Sequence, residues 1–261
     1  MERGTLSNGT PKTYLVASAK GGVGKTSVVV GLGCCFAQNG LRTLAVDLDF
    51  DNRCLDLVAG VQDRVMYHVL DVLNGTPLDR AVIRDSKEPS LCYLAAPSGK
   101  RPSADEEEAL GAFLSEAKVS GEYDVILLDT PGSYDSTVLC AAKAADCALI
   151  VATEQQTSIR AAEATAAVLE DAGISERFLI VNCFDPGKKR REKTEKWVRL
   201  IEYIDTTSLR LVGVIPFDRN LWGWQNEGRL PSDPVMKKTG LYQAFQNIAG
   251  RLCGKDIPIR F

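Results

Sequence analysis

The stretch Tyr14-Leu-Val-Ala-Ser-Ala-Lys20-Gly21-Gly22-Val23-Gly24-Lys25-Thr26-Ser27 constrains this chain more than any other. It reads as an apolar strand, a glycine-rich turn and the start of a helix. Glycines let the backbone curl with its N–H groups inward around an anion, and the following helix adds its positive N-terminal end. Gly21, Gly22, Val23, Gly24 and Ser27 form such a cradle. Lys25 is placed to reach the β- and γ-phosphates of a nucleotide, and the Thr26 hydroxyl suits a Mg²⁺ ligand. The common pattern G-x-x-x-x-G-K-[ST] is broken at its first position, Ala19, and a second lysine, Lys20, stands just before the double glycine.

Beyond the loop, short apolar runs alternate with helical patterns. Strands are expected at Tyr14–Ala17, Thr43–Val46, Leu91–Leu94, Val125–Leu128, Ala148–Val151, Phe178–Val181 and Leu211–Ile215. Helices are expected at Lys25–Gln38, Val65–Leu73, Asp105–Ala117, Ser136–Ala144, Ser158–Asp171 and Gly240–Leu252. Alternation of this kind predicts an α/β fold, a doubly wound and mainly parallel sheet with helices on both faces. The unbroken apolar strands, such as Val-Ile-Leu-Leu before Asp129, fit a sheet covered on both sides. No internal repeat or linker divides residues 1–261, which predicts a single domain, with polar residues 1–12 as a flexible N-terminal extension.

A Mg²⁺–phosphate site also needs carboxylates at neighbouring strand ends. Asp47-Leu-Asp49-Phe-Asp51 closes the second strand, and Asp129-Thr-Pro-Gly132 closes the run that begins at Asp124. A parallel sheet brings such acids to the same carboxyl edge as the glycine-rich loop. Asp129 suits an outer-shell Mg²⁺ ligand, whereas Asp51 and Asp124 read better as turn or cap acids.

Composition bears on the setting. With 45% hydrophobic and 25% charged residues and a net charge of −3, bulk charge does not mark a nucleic-acid protein. No apolar run reaches the roughly 18 residues of a membrane span, so a cytoplasmic protein is expected, free or peripheral at a membrane. The eight cysteines form no CxxC pair and read as small buried hydrophobes. The lone histidine, His68, argues against a transition-metal site. The basic run Gly187–Lys196 reads as a solvated segment before it reads as a binding patch.

The loop Lys20-Gly-Gly-Val-Gly-Lys-Thr26 resembles the deviant Walker A of the MinD/ParA family of P-loop ATPases, and more of the chain follows the MinD branch. Asp47-Leu-Asp49 through Gly60 is similar to the first switch and its sequel. Val69–Gly75, Leu78–Ile83 and Leu94-Ala-Ala-Pro-Ser98 match the next segments, Asp129-Thr-Pro-Gly132 the second switch, and Leu211–Pro216 a late strand with its nucleotide-side loop. The resemblance runs from Tyr14 to Phe261. It implies ATP and Mg²⁺ as cofactors and an ATP-dependent homodimer in which Lys20 reaches the partner's phosphates. It further implies that Asp49 positions the attacking water, that Asp47 supports the metal and first switch, that Asn182 reads the adenine and that the Pro216 loop flanks it. Slow hydrolysis, released by an activating or cargo protein, would time attachment to a surface in division-site placement.

Two departures from the family pattern stand out. Cys54 replaces the usual asparagine before Leu55-Asp56. The chain also stops near where an amphipathic lipid-binding tail would begin, and Leu241, Phe245, Ile248 and Leu252 read as one face of a last core helix. That leaves membrane or DNA as the surface. The alternatives are a ParA-like ATPase that partitions DNA or cargo through Lys188–Arg191, with Lys193 and Lys196, and a non-catalytic nucleotide-binding adaptor. The full set of Lys20, Lys25, Thr26, Asp49 and Asp129 speaks against the adaptor.

Overall fold

Eight strands form one sheet in the computed structural model, which describes residues 10–185, 207, 209–231 and 233–259. They are β1 (Lys12–Ala17), β2 (Thr43–Asp47), β3 (Ile83–Arg84), β4 (Leu91–Leu94), β5 (Val125–Asp129), β6 (Cys147–Thr153), β7 (Glu176–Phe184) and β8 (Arg210–Pro216). Their order is β3-β4-β2-β5-β1-β6-β7-β8. All pairings are parallel except that of β3 with β4. From β1 the crossovers lead outward through β2 and β4 on one side and through β6, β7 and β8 on the other. Ligands of such sheets bind at the carboxyl edge where this reversal occurs.

Strand residues alternate between two separate cores. Tyr14, Val16, Val125, Leu127 and Leu149 face one layer, while Leu15, Ala17, Ile126, Leu128 and Ile150 face the other. The first layer holds α1 (Lys25–Gln38), α2 (Leu55–Ala59), α8 (Leu221–Asn226) and α9 (Gly240–Leu252). The second holds α3 (Val69–Leu73), α4 (Leu78–Ala81), α5 (Ala104–Val119), α6 (Ser136–Ala144) and α7 (Gln156–Asp171). The doubly wound expectation therefore holds. Leu241, Phe245, Ile248 and Leu252 are buried as the last core helix requires.

Several local expectations need correction. The helix expected at Val65–Leu73 begins only at Val69, because His68 is extended and Asp71 turns back to accept its N–H at 2.8 Å. The short elements α2, α4, α8 and β3 carried too little periodicity to be foreseen. Lys12 opens β1, and its ammonium meets Glu176 at 3.0 Å, so it is not part of an N-terminal extension. Cys54 and Cys140 are half-buried and Cys183 is exposed, with a φ of 55°, so not all the cysteines are core residues. The run Lys188–Arg191, Lys193 and Lys196 lies outside the described residues.

Two glycine contacts set how the first layer packs. Gly31 in α1 lies under Phe245 of α9, where an added Cβ would come within 2.4 Å of the ring. Gly60 after α2 and Gly228 after α8 both have positive φ, and a Cβ on Gly60 would lie 2.5 Å from the Gly228 Cα. Overpacking a fixed ring typically costs about 1–3 kcal/mol, more than the roughly 1 kcal/mol that alanine gains over glycine in a helix. Gly31→Ala should therefore lower the urea midpoint, and adding Phe245→Leu should make it nearly neutral. A stabilised Gly31→Ala single variant would show that the ring has room to move.

Candidate nucleotide site

The phosphate loop leaves β1 at Ala17 and enters α1 at Lys25. Gly22 and Gly24 take positive φ, 74° and 91°, so the turn uses the freedom of glycine. Gly24 is the N-cap of α1 and offers no side chain to the first-turn N–H groups. Those donors are left for a ligand, and no acidic residue in the first turn of α1 competes for them. A Cβ at Gly24 would strike Asn182 Nδ2 at 2.4 Å. That amide donates to the Val23 carbonyl at 2.8 Å, so Asn182, at the end of β7, props the loop from behind.

Gly132, in the loop after β5, closes against the other side. A Cβ there would lie 3.1 Å from the Gly21 nitrogen. The Thr130 hydroxyl donates to the Val16 carbonyl at 2.8 Å and ties the same loop to β1. Ser27 accepts a bond of 2.8 Å from Gln225 of α8. Pro216 ends β8 and borders a cleft of about 600 Å³ with Gln243 and Asn247 of α9.

Asp47 and Asp129 occupy paired positions on adjacent strands, and both are buried. Asp47 accepts the Asp49 N–H at 2.9 Å and the Leu55 N–H at 3.1 Å, one on each carboxylate oxygen. Burial nonetheless pushes its carboxyl up to about 7, against those two bonds. Asp129 lies well above the usual carboxylate range through burial first and the charge of Asp47 second; Thr26 and Lys25 oppose the rise. The Thr26 hydroxyl is near, yet neither Asp129 oxygen completes a hydrogen bond of good geometry. Burial draws Lys25 below its ordinary value, while Asp129 and Asp49 pull it back.

Two buried acids side by side, one with both oxygens open, form a site short of positive charge. Oxygen donors of this kind, with Thr26 beside them, fit Mg²⁺, which keeps few protein ligands and takes the rest from phosphate and water. Both oxygens of Asp47 already serve backbone N–H groups, so in this structure it holds the segment from Asp49 to Leu55 to the sheet.

The remaining acids and lysines are equally placed. Asp49 accepts the Asn52 N–H at 3.0 Å and both-sided contacts from the Asn52 amide. Arg53, at φ 44°, pairs with the buried Asp56 at 2.8 Å. Asp51 is held by Arg101, which keeps its carboxyl below the usual range. Asp124 pairs with Arg42 at 2.6 Å. The Lys20 ammonium donates to Gln155 Oε1 at 2.7 Å and Thr157 Oγ1 at 3.3 Å, both at the start of α7. Gln155, Thr157, Asn52 and Gln225 carried no motif that could mark them. Only the Arg53–Asp56 pair, three residues apart, had a sequence signal.

Comparison with known proteins agrees with this fold. A family model described as an AAA domain matches residues 11–172. Septum site-determining protein MinD of Synechocystis sp. is 32% identical over 249 residues, 95% of this chain and 91% of the relative. A chloroplastic MinD homolog of Arabidopsis thaliana is 32% identical, covering 96% of this chain and 77% of its own. Among solved structures, a chain of the MinC:MinD cell division complex of Aquifex aeolicus superposes with a TM-score of 0.85 at 30% identity, covering 96% of this chain and 98% of that one. MinD of Pyrococcus horikoshii with Mg-ADP, at 24% identity, shares the fold with a TM-score of 0.78, covering 93% and 96%.

The raised carboxyls have a consequence for stability. Wherever the unfolded acids have ionised and the buried ones still hold their protons, a window that for Asp47 runs from about pH 4 to about 7, the native acids bind more protons and their contribution falls as pH rises. Asp129→Asn should therefore melt higher than the parent at pH 8, with the gap closing at pH 5, while binding Mg-ADP more weakly. A gap that is absent, or that widens towards acid, would reject this account of the pair.

Proposed function

Because the chain belongs to the MinD/ParA family of P-loop ATPases, we propose that it is a MinD-like ATPase acting in division-site placement, switched by an ATP-dependent homodimer. One observation carries this reading: the loop's two lysines have separate fates. Lys25 is buried beside Asp129 and Asp49 in its own site. Lys20 sits on an amide and a hydroxyl at the start of α7. Among the described residues no anion claims its charge, which suits it to the phosphates of a second copy.

In this reading the N–H groups of Gly21, Gly22, Val23, Gly24, Lys25, Thr26 and Ser27 bind the phosphates. Thr26 and Asp129 would hold Mg²⁺, which when bound would supply positive charge beside the phosphates, and Asp47 fixes the adjoining loop. Lys25 in its own site and Lys20 across the dimer stabilise charge on the transferring phosphoryl group, as an arginine finger does. Asp49, steadied by Asn52, positions the attacking water. Asn182 and Pro216 border the base, Asn182 also bracing the loop. Hydrolysis stays slow until an activating or cargo protein engages the dimer; the Aquifex MinD chain is one found in a complex with MinC. Such a switch needs ATP to favour the dimer over the ADP state by a few kcal/mol. No helix among the described residues is long and apolar enough to cross a membrane, so attachment would be peripheral.

Asp49→Ala should bind ATP, accumulate a dimer by light scattering and turn over at least about 100-fold more slowly, a loss of nearly 3 kcal/mol in barrier terms. Lys20→Ala should bind ATP and remain monomeric. A normal ATP dimer from Lys20→Ala would remove the cross-subunit role. The Asp49→Ala dimer should pellet with anionic vesicles in Mg-ATP but not Mg-ADP. Retention on duplex DNA instead would move the chain to a partitioning role.

A further inference from the structure

Three hydrogen bonds converge on Thr165, a fully buried residue midway along α7. Its hydroxyl donates to the Ala161 carbonyl at 2.7 Å. It receives the Ala19 N–H at 3.2 Å and is bonded to the Tyr134 hydroxyl. A threonine hydroxyl has one proton and two lone pairs. With the proton committed to Ala161, both other groups must donate, and the hydroxyl is filled. The three partners come from separate parts of the molecule. Ala19 is the residue before Lys20, and Tyr134 lies in the loop that begins at Asp129 and presses Gly132 against Gly21. Gln155 and Thr157, at the start of α7, hold the Lys20 ammonium. One helix thus grips the phosphate loop at the residue before its first lysine and at that lysine's own ammonium.

We infer that Thr165 and Tyr134 are positioning residues that register the first peptide of the phosphate loop, and through it Lys20, to the switch loop leaving β5. Neither touches a phosphate. Ala19, where the common loop pattern has glycine, gives its N–H to α7 rather than to a ligand. The half-buried Tyr134 makes that anchor responsive to the segment carrying Thr130, Pro131 and Gly132. The inference rests on the cross-subunit reading of Lys20, because dimer formation is what the anchor serves.

The test uses the full chain and four variants: Tyr134→Phe, Thr165→Val, Thr165→Ser and the double Tyr134→Phe/Thr165→Val. Each is measured for affinity towards a fluorescent ADP and for ATP-dependent dimerisation by sedimentation, with kcat at saturating ATP. ADP affinity should stay within about twofold in all, while Tyr134→Phe and Thr165→Val weaken dimerisation and kcat by about five- to tenfold, the scale of one hydrogen bond. Thr165→Ser should restore both, and the double variant should be no worse than either single one, as members of one network behave. Tyr134→Phe alters a half-buried loop residue, so it keeps the test open should Thr165→Val fold poorly. Dimerisation at the parental level in Tyr134→Phe, or ADP affinity falling in step with dimerisation, overturns the proposal. Lys20→Ala separates the two readings. If it dimerises normally, the cross-subunit role and this inference both fall; if it does not while Tyr134→Phe does, only this inference falls.

Discussion

Two carboxylates buried side by side, Asp47 and Asp129, impose the condition on which the rest of this structure is built. Parallel pairing of β2 with β5 places them at matching positions, in surroundings that disfavour charge and make each one's charge costly to the other. An apolar sheet has no structural use for such a pair. It becomes reasonable where positive charge converges from elsewhere, here from the ammonium of Lys25 and the open N-terminus of α1. The segments that follow β2 and β5 then attach to the same acids, the first through the two N–H bonds to Asp47 and the second through the chain that continues from Asp129.

Much of this could be read before any coordinates. The glycines and Lys25 announce the loop, and the apolar runs ending in Asp47 and Asp129 announce strands whose acids share its edge. Parallel topology turns those local signals into one site without further information. What the sequence hid falls into two kinds. Short helices such as α2 and α8 complete too few turns for a period to show. Contacts such as Ala19 with Thr165, or Ser27 with Gln225, join residues far apart in the chain, and nothing about either residue type forecasts the other. Asn182 lies between these cases. Its place at the end of β7 was legible, but its grip on the Val23 carbonyl follows only from the packing of β7 beside the loop.

The departure at Cys54 has a physical reading as well. Cys54 stands at the N-cap of α2 and provides no side-chain cap, a task that asparagine performs well. The third N–H of the helix, Leu57, which a capping side chain would serve, goes to Asp56 Oδ1 at 2.9 Å, and the first, Leu55, goes to Asp47, whose other oxygen holds the Asp49 N–H. Asp47 therefore serves both the start of the helix and the loop before it. Arg53 completes the segment by turning through positive φ to meet Asp56. The segment from Asp49 to Leu57 is thereby organised by acids on both sides of the cysteine rather than by the capping residue itself.

The contact between Gly60 and Gly228 couples this arrangement mechanically to α8. Each position is closed to a side chain on two independent grounds, backbone conformation and the nearness of the other's main chain. A single substitution at either site has no gradual route, since relieving one obstacle leaves the other. The two loops that follow α2 and α8 are therefore locked main chain against main chain. Because α8 also carries Gln225, the partner of Ser27, a shift of the loop after α2 is passed directly to the flank of the phosphate loop.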